Sequence, residues 1–184
     1  MNLAVMQPQS ILHFWFTELT HKQHFAKDVA LDETIRTRFG ATLAAAARCE
    51  LFAWRTTPEG RLAEVLVLDQ FSRNVYRDSP RAFAQDALAL ALAQELVASG
   101  QDRSLPLALR SFAYMPYMHS ESALVHTQAA LLFAQPGLED TLRFEQRHKE
   151  IIERFGRYPH RNAILGREST PEELAFLNEP GSGF

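Results

Sequence analysis

The chain reads as an all-α protein of stacked antiparallel helical hairpins, about eight helices. Three observations predict this. Apolar residues recur with a period near 3.6 rather than 2. Helix punctuation repeats along the sequence. Strand-like runs are nearly absent, the best being Glu64 to Leu68, which lies inside a capped helical pattern.

The punctuation is of one kind. Thr57-Pro58, Ser79-Pro80 and Thr170-Pro171 each put a capping hydroxyl before a proline at the first helical position, where the missing N–H costs nothing and the fixed φ helps. Thr170 to Glu173 also has the spacing of a capping box. Gly100 and Gly156 stand where glycine stops a helix. Between these marks the spacing predicts helices over 9–18, 31–48, 58–74, 80–98, 105–114, 121–134, 137–155 and 171–178. Pro116 is expected to end the fifth of them. Two stretches read as irregular, 19–29 and 157–169, and the tail from Glu179 to Phe184 reads as frayed. Short connections predict antiparallel neighbours. No repeated consensus and no Gly/Ser linker divides residues 1–184, so a single domain is expected.

At 184 residues the chain can build a real core without staples. One cysteine, Cys49, precludes an internal disulfide; at the end of an Ala-rich helix it reads as inert packing. Met1 to Gln9 shows no secretory pattern. The longest apolar run, Ala87 to Ala93, is far too short to span a bilayer. These features make the cytoplasm the expected location. A formal net charge of −3 gives no general attraction to nucleic acid or anionic membranes. Charge is uneven, however, with seven Lys/Arg against three Glu between Arg143 and Arg167.

Several polar constellations are candidates for chemistry. On the central helix, Leu62, Leu66, Asp69 and Arg73 share a stripe. The helix is apolar nearly all round, so Asp69 must be paired, and Arg73 sits at the favourable i, i+4 position. Either this is a structural ion pair, or Arg73 and Arg77 help to line an anion pocket. In His119-Ser120-Glu121, Ser120 reads as the N-cap of the next helix, and His119 with Glu121 is either an acid/base pair or a capped helix with a bystander histidine. His148 replaces an apolar residue in the stripe of Phe144, Ile151, Ile152 and Phe155; a core histidine with both ring nitrogens satisfied is its bland reading. The loop Gly156 to Asn162 carries Arg157, His160, Arg161 and Asn162, residues suited to carboxylate or phosphate recognition. They could equally pin the C-terminus by pairing with Asp69, Asp86 or Glu121. His21 and His24 read as exposed loop residues.

No metal-ligand spacing, nucleophile elbow, P-loop or dinucleotide fingerprint is present, so neither a metal nor a cofactor is expected. Candidate catalytic residues reduce to His119, Glu121 and His148. Candidate ligand-binding residues are Asp69, Arg73, Arg77, His119, Glu121, His148, Arg157, His160, Arg161 and Asn162. The leading reading is a binding module for a small anion or peptide carboxylate. Alternatives are an interaction scaffold without a small-molecule site, and a hydrolase using histidine and carboxylate acid–base chemistry.

Three stretches carry a family resemblance: Leu68-Asp69-Gln70-Phe71-Ser72-Arg73-Asn74-Val75-Tyr76-Arg77, Tyr114 to Glu121, and Arg154 to Asn162. With Ile11 to Phe16 before them and Leu165-Gly166-Arg167 after, the chain resembles the bacterial Domain of Unknown Function family nine-two-four from Ile11 to about Leu177. The approach to the second helix, Thr20 to Asp28, departs from the family's Trp-Phe and Asp-rich pattern. The resemblance implies an all-helical, tetratricopeptide-like fold and no particular activity or catalytic residue.

Overall fold

The computed structural model describes residues 4–183; Met1 to Leu3 and Phe184 lie outside it. Every regular element among the described residues is helical. The chain runs α1 (Pro8–His13), α2 (His21–Phe25), α3 (Val29–Ala47), α4 (Pro58–Leu66), α5 (Ser72–Val75), α6 (Asp86–Ala98), α7 (Leu107–Met118), α8 (Ala123–Phe133), α9 (Glu139–Phe155), α10 (Asn162–Leu165) and α11 (Pro171–Leu177). None is long and apolar enough to cross a membrane.

Each hydroxyl–proline pair caps as its chemistry requires. Thr57 Oγ1 accepts from the Gly60 N–H at 3.1 Å, Ser79 Oγ accepts from the Arg81 N–H, and Thr170 with Glu173 closes a reciprocal box. Gly156 ends α9 with φ of 70°, and Gly100 follows α6 with the same φ, a left-handed conformation that glycine adopts without steric cost.

Helix α4 is the hub, packing against α1, α6 and α7. Residues Leu62, Ala63, Val65 and Leu66 are all fully buried, as the all-round apolar pattern requires. Along the other direction α6, α7, α8 and α9 pack in chain order as successive hairpins. The aromatic half of the core joins Phe14, Phe39 and Phe71, with ring centroids 4.8 Å apart for Phe14–Phe39 and 5.1 Å for Phe39–Phe71.

Some boundaries differ from the sequence expectation, each for a physical reason. The helix expected over 58–74 is continuous but contains a π-turn at Val67–Phe71 between α4 and α5. A second π-turn, Phe14–Glu18, extends α1. The helix expected over 80–98 opens as a short 3-10 turn, Pro80–Phe83, before α6 begins.

Pro116 does not end α7, which runs on to Met118. Proline removes one helical N–H there, and side chains from elsewhere take the carbonyls beyond it. The stretch 19–29 holds α2, where the His24 ring stacks on Trp15 at 4.8 Å and its Nε2 meets the Trp15 carbonyl at 2.7 Å. His24 is therefore partly buried rather than an exposed loop residue. Cys49 is exposed, with φ of 58°, not packed inside. At the tail, Glu179 N–H bonds the Phe176 carbonyl and Ser182 Oγ the Leu177 carbonyl, so the described part of that segment is tied down.

Candidate functional site

The π-turn carries Asp69, whose side chain is 1% exposed. π-turns inside α-helices are frequent at functional positions, and a carboxylate on so apolar a helix must find its partners inside the protein. Three side chains supply them. His119 Nδ1 lies 2.8 Å from Asp69 Oδ1, Arg73 Nη1 lies 3.0 Å from the same oxygen, and Gln70 Nε2 donates to Oδ2 at 2.6 Å.

From Asp69 the network closes into a ring. Arg73 forks onto both oxygens of Asp86 at 2.9 and 3.0 Å. Asp86 accepts from Arg161 Nη1 at 3.2 Å, and Arg161 Nη2 donates to the His119 carbonyl at 3.0 Å. His119, Asp69, Arg73, Asp86 and Arg161 thus form one cycle of five residues drawn from four segments of the chain. The Arg161 guanidinium lies over the rings of Phe83 and Tyr158, 4.6 Å from each centroid. This is the stacking that a planar guanidinium, unlike an ammonium, can make.

Protonation follows from burial and charge. Burial by itself would raise the Asp69 carboxyl, but the Arg73 guanidinium and the His119 ring hold it well below the ordinary carboxylate range. Burial, reinforced by Arg73, lowers the His119 imidazole. The ring is therefore neutral near pH 7, with its one proton on Nδ1 donated to Asp69 and a free lone pair on Nε2. Burial and the neighbouring Arg73 also disfavour the charge on Arg161.

A second network holds the segment that presents His119. Three successive carbonyls at the end of α7 are each claimed by a side chain from elsewhere. Tyr158 Oη donates to the Met118 carbonyl at 2.6 Å, Arg161 takes that of His119, and His126 Nε2 donates to that of Ser120 at 2.8 Å. Behind them, His126 Nδ1 meets Glu145 Oε1 at 2.7 Å, and both side chains are fully buried. These contacts satisfy the orphan carbonyls that every helix end leaves.

Between α6, the end of α7 and the Pro159–Arg161 turn lies an open hollow of about 410 Å³, lined among others by Phe83, Asp86, Pro116, His119, Glu121 and Arg161. His119 reaches it from the ring just described. No hydrogen bond from a described residue reaches its Nε2.

The structure distributes the candidate residues as follows. Asp69, Arg73, His119 and Arg161 converge, together with Asp86. Glu121 lines the same hollow but does not pair with His119. Its carboxylate accepts from the Tyr158 N–H at 2.8 Å and from both Nη groups of Arg167 at 2.7 and 2.9 Å. It also precedes α8 instead of lying in its first turn, because Ser122, not Ser120, occupies the N-cap position.

Arg77 is not part of the ring. It forks onto Asp32 at 2.6 and 2.7 Å, with Asn74 as a further donor. Arg157 clamps Glu173 and so pins α11, and Asn162 donates to Ser169. His148 is buried as a core histidine, its Nδ1 bonded to the Phe144 carbonyl at 2.7 Å, although Phe144 itself is half exposed. His160 lies against the Tyr158 ring, 5.5 Å between centroids. The sequence reading did not pick out His126, Glu145 or Tyr158. The signal was there for the first two: His126, Ala129 and Phe133 recur at i, i+3 and i+7, as do Glu145, His148 and Ile152, so both polar residues occupy core positions. Among the described residues, no group of three or more His, Cys, Asp or Glu is placed to hold a metal ion.

Fold and site together define an all-helical protein with a largely buried charge ring beside an open hollow of mixed apolar and polar lining. The chain belongs to a family described as bacterial protein of unknown function (DUF924), which matches residues 11–181. A solved structure of a protein of unknown function from Agrobacterium tumefaciens is similar, with 39% sequence identity and a TM-score of 0.88, over 93% of this chain and 96% of that one. A comparison with curated proteins finds no match.

Proposed function

We propose that this protein is a binding module for a small anion, held in the hollow against Arg161 and His119. One observation carries this reading. Arg161 is 7% exposed, yet only two of its five N–H groups have acceptors and its Nε has none. A buried guanidinium with unused donors favours an additional oxyanion, and Arg161 lines a hollow large enough to bring one in. The carboxylates of the ring do not remove this demand, since Asp86 is already forked by Arg73.

Addition of millimolar phosphate is expected to raise the melting temperature of the wild-type protein by mass action. Arg161→Ala is expected to weaken binding about 30-fold or more, and Arg161→Lys to restore it only in part, because an ammonium has no fork. Calorimetry of the three proteins checks this. Unchanged affinity in Arg161→Ala would remove the reading.

The Asp69–His119 pair favours a second reading, acid–base hydrolysis. A buried carboxylate fixing the Nδ1–H tautomer leaves Nε2 as a base at the edge of the hollow, the arrangement that general-base histidines use. On this reading the wild type releases p-nitrophenol from p-nitrophenyl phosphate, and His119→Gln lowers the rate by about 100-fold. Release no faster than in buffer, or a His119→Gln enzyme as fast as wild type, ends it.

A further inference from the structure

The hollow's hydrogen-bonding groups fall into two sets. Its donors are the Arg161 guanidinium and the Ser120 hydroxyl. Facing the same space are groups that only accept: the carboxylates of Asp86 and Glu121, and the Nε2 of His119. Nε2 accepts because Nδ1 holds the ring's proton against Asp69, 2.8 Å away, and burial beside Arg73 keeps the ring neutral near pH 7.

A ligand must match both sides. Carboxylate and sulfate groups carry acceptors alone at neutral pH. They would satisfy Arg161 and then turn bare oxygens toward a lone pair and two carboxylates, leaving acceptors facing acceptors. A phosphoryl group that keeps one proton presents both kinds of group at once.

Building on the anion reading above, we infer that the hollow selects a singly protonated phosphoryl group, its P–O⁻ oxygens toward Arg161 and its P–O–H donated to His119 Nε2. The ligand class is inorganic phosphate or a small phosphomonoester. The second ionisation of phosphomonoesters lies near pH 6, so the protonated form is well populated just below neutrality. Asp69 and Arg73 face the same imidazole from the central helix, and Asp86 faces it from α6. They fix its tautomer without occupying Nε2.

Sulfate is the discriminating probe, being tetrahedral like phosphate and lacking the proton. Titration calorimetry of the full chain at pH 6.5 and matched ionic strength is expected to show sodium phosphate binding about tenfold or more tightly than sodium sulfate. Phenyl phosphate is expected to behave as phosphate does. In ring-¹⁵N spectra of the wild-type protein, phosphate is expected to shift the His119 Nε2 resonance and sulfate to leave it in place, a readout that requires no variant to fold. Replacing the acceptor, as in His119→Ala, should bring phosphate and sulfate within about twofold of each other. Sulfate binding as tightly as phosphate, or a His119 resonance that ignores both, overturns this inference while leaving the anion site standing. Absence of binding by any anion removes the site and the inference together.

Discussion

Glu145→Ala is expected to lower the unfolding free energy by about 3–5 kcal/mol, the range for breaking a fully buried polar pair by removing one partner. Neither His126 nor Glu145 has any solvent exposure, so no water can replace the missing carboxylate without a cavity opening. His126 Nε2 must donate, because the Ser120 carbonyl can only accept. The contact between Nδ1 and Glu145 is therefore a single shared proton, on the ring or on the carboxyl, and burial raises the Glu145 carboxyl toward keeping it. A neutral amide can serve the same geometry by donating to Nδ1, so Glu145→Gln is expected to recover most of the loss. Denaturant unfolding of the two variants checks the pair. A cost below about 1 kcal/mol for Glu145→Ala would show that the pair contributes little beyond an ordinary hydrogen bond. Because His126 holds the Ser120 carbonyl, the destabilised variant should also bind phosphate less well than wild type.

Acidification from pH 7 to pH 5 is expected to destabilise the fold well before carboxylates titrate in bulk. Burial pushes His148 down to about 3 and His160 down to about 4, and it lowers His119 as well. In the unfolded chain these rings titrate near the ordinary histidine value of about 6.5. With the folded values depressed, the unfolded state binds more protons throughout the window between. Stability is therefore greatest above about pH 6.5 and falls as pH drops toward the folded values, at up to roughly 1.4 kcal/mol per unit for each ring. Asp69 adds a second loss at lower pH. Its folded value is also depressed, so its contribution is present above about pH 4 and disappears as pH falls further. Urea midpoints measured at half-unit steps between pH 7 and pH 5 test the histidine part apart from that of Asp69, and Glu145→Gln removes the opposing contribution of the raised Glu145 carboxyl. A flat profile over that interval would mean that these rings protonate in the native protein as freely as in the unfolded one.

Both effects arise from how the chain closes around the end of α7. Carbonyls of Met118, His119 and Ser120 are each held by a buried side chain from a later segment. The irregular stretch after α9 is thus a clamp as well as a wall of the hollow. Arg161 belongs to both roles. A loop with three arginines and a proline could have pinned the terminus or bound a ligand, and its arginines differ in how they are engaged. Arg157 and Arg167 each fork onto a carboxylate, that of Glu173 and that of Glu121, whereas Arg161 has a single carboxylate contact, to Asp86, which Arg73 already forks.

The sequence by itself determined the long helices, since their causes are local, but not the short α2 and α10, which lie in stretches that read as irregular. A hydroxyl before proline, a glycine with positive φ and apolar residues one turn apart act within a few residues of the chain. It also showed that Asp69 would be buried and that Arg73, one turn on, would meet it. Which carboxylate met which of the remaining arginines was decided only by tertiary structure. Arg73 lies in α5 and Arg77 four residues on, in the turn that follows it, yet Arg77 reaches Asp32 and Arg73 reaches Asp86. Likewise His119 turned to Asp69 across fifty residues and left Glu121, two residues away, to Arg167. Charges attract over distances that sequence spacing does not encode, and a buried charge must take whichever partner packing brings within reach.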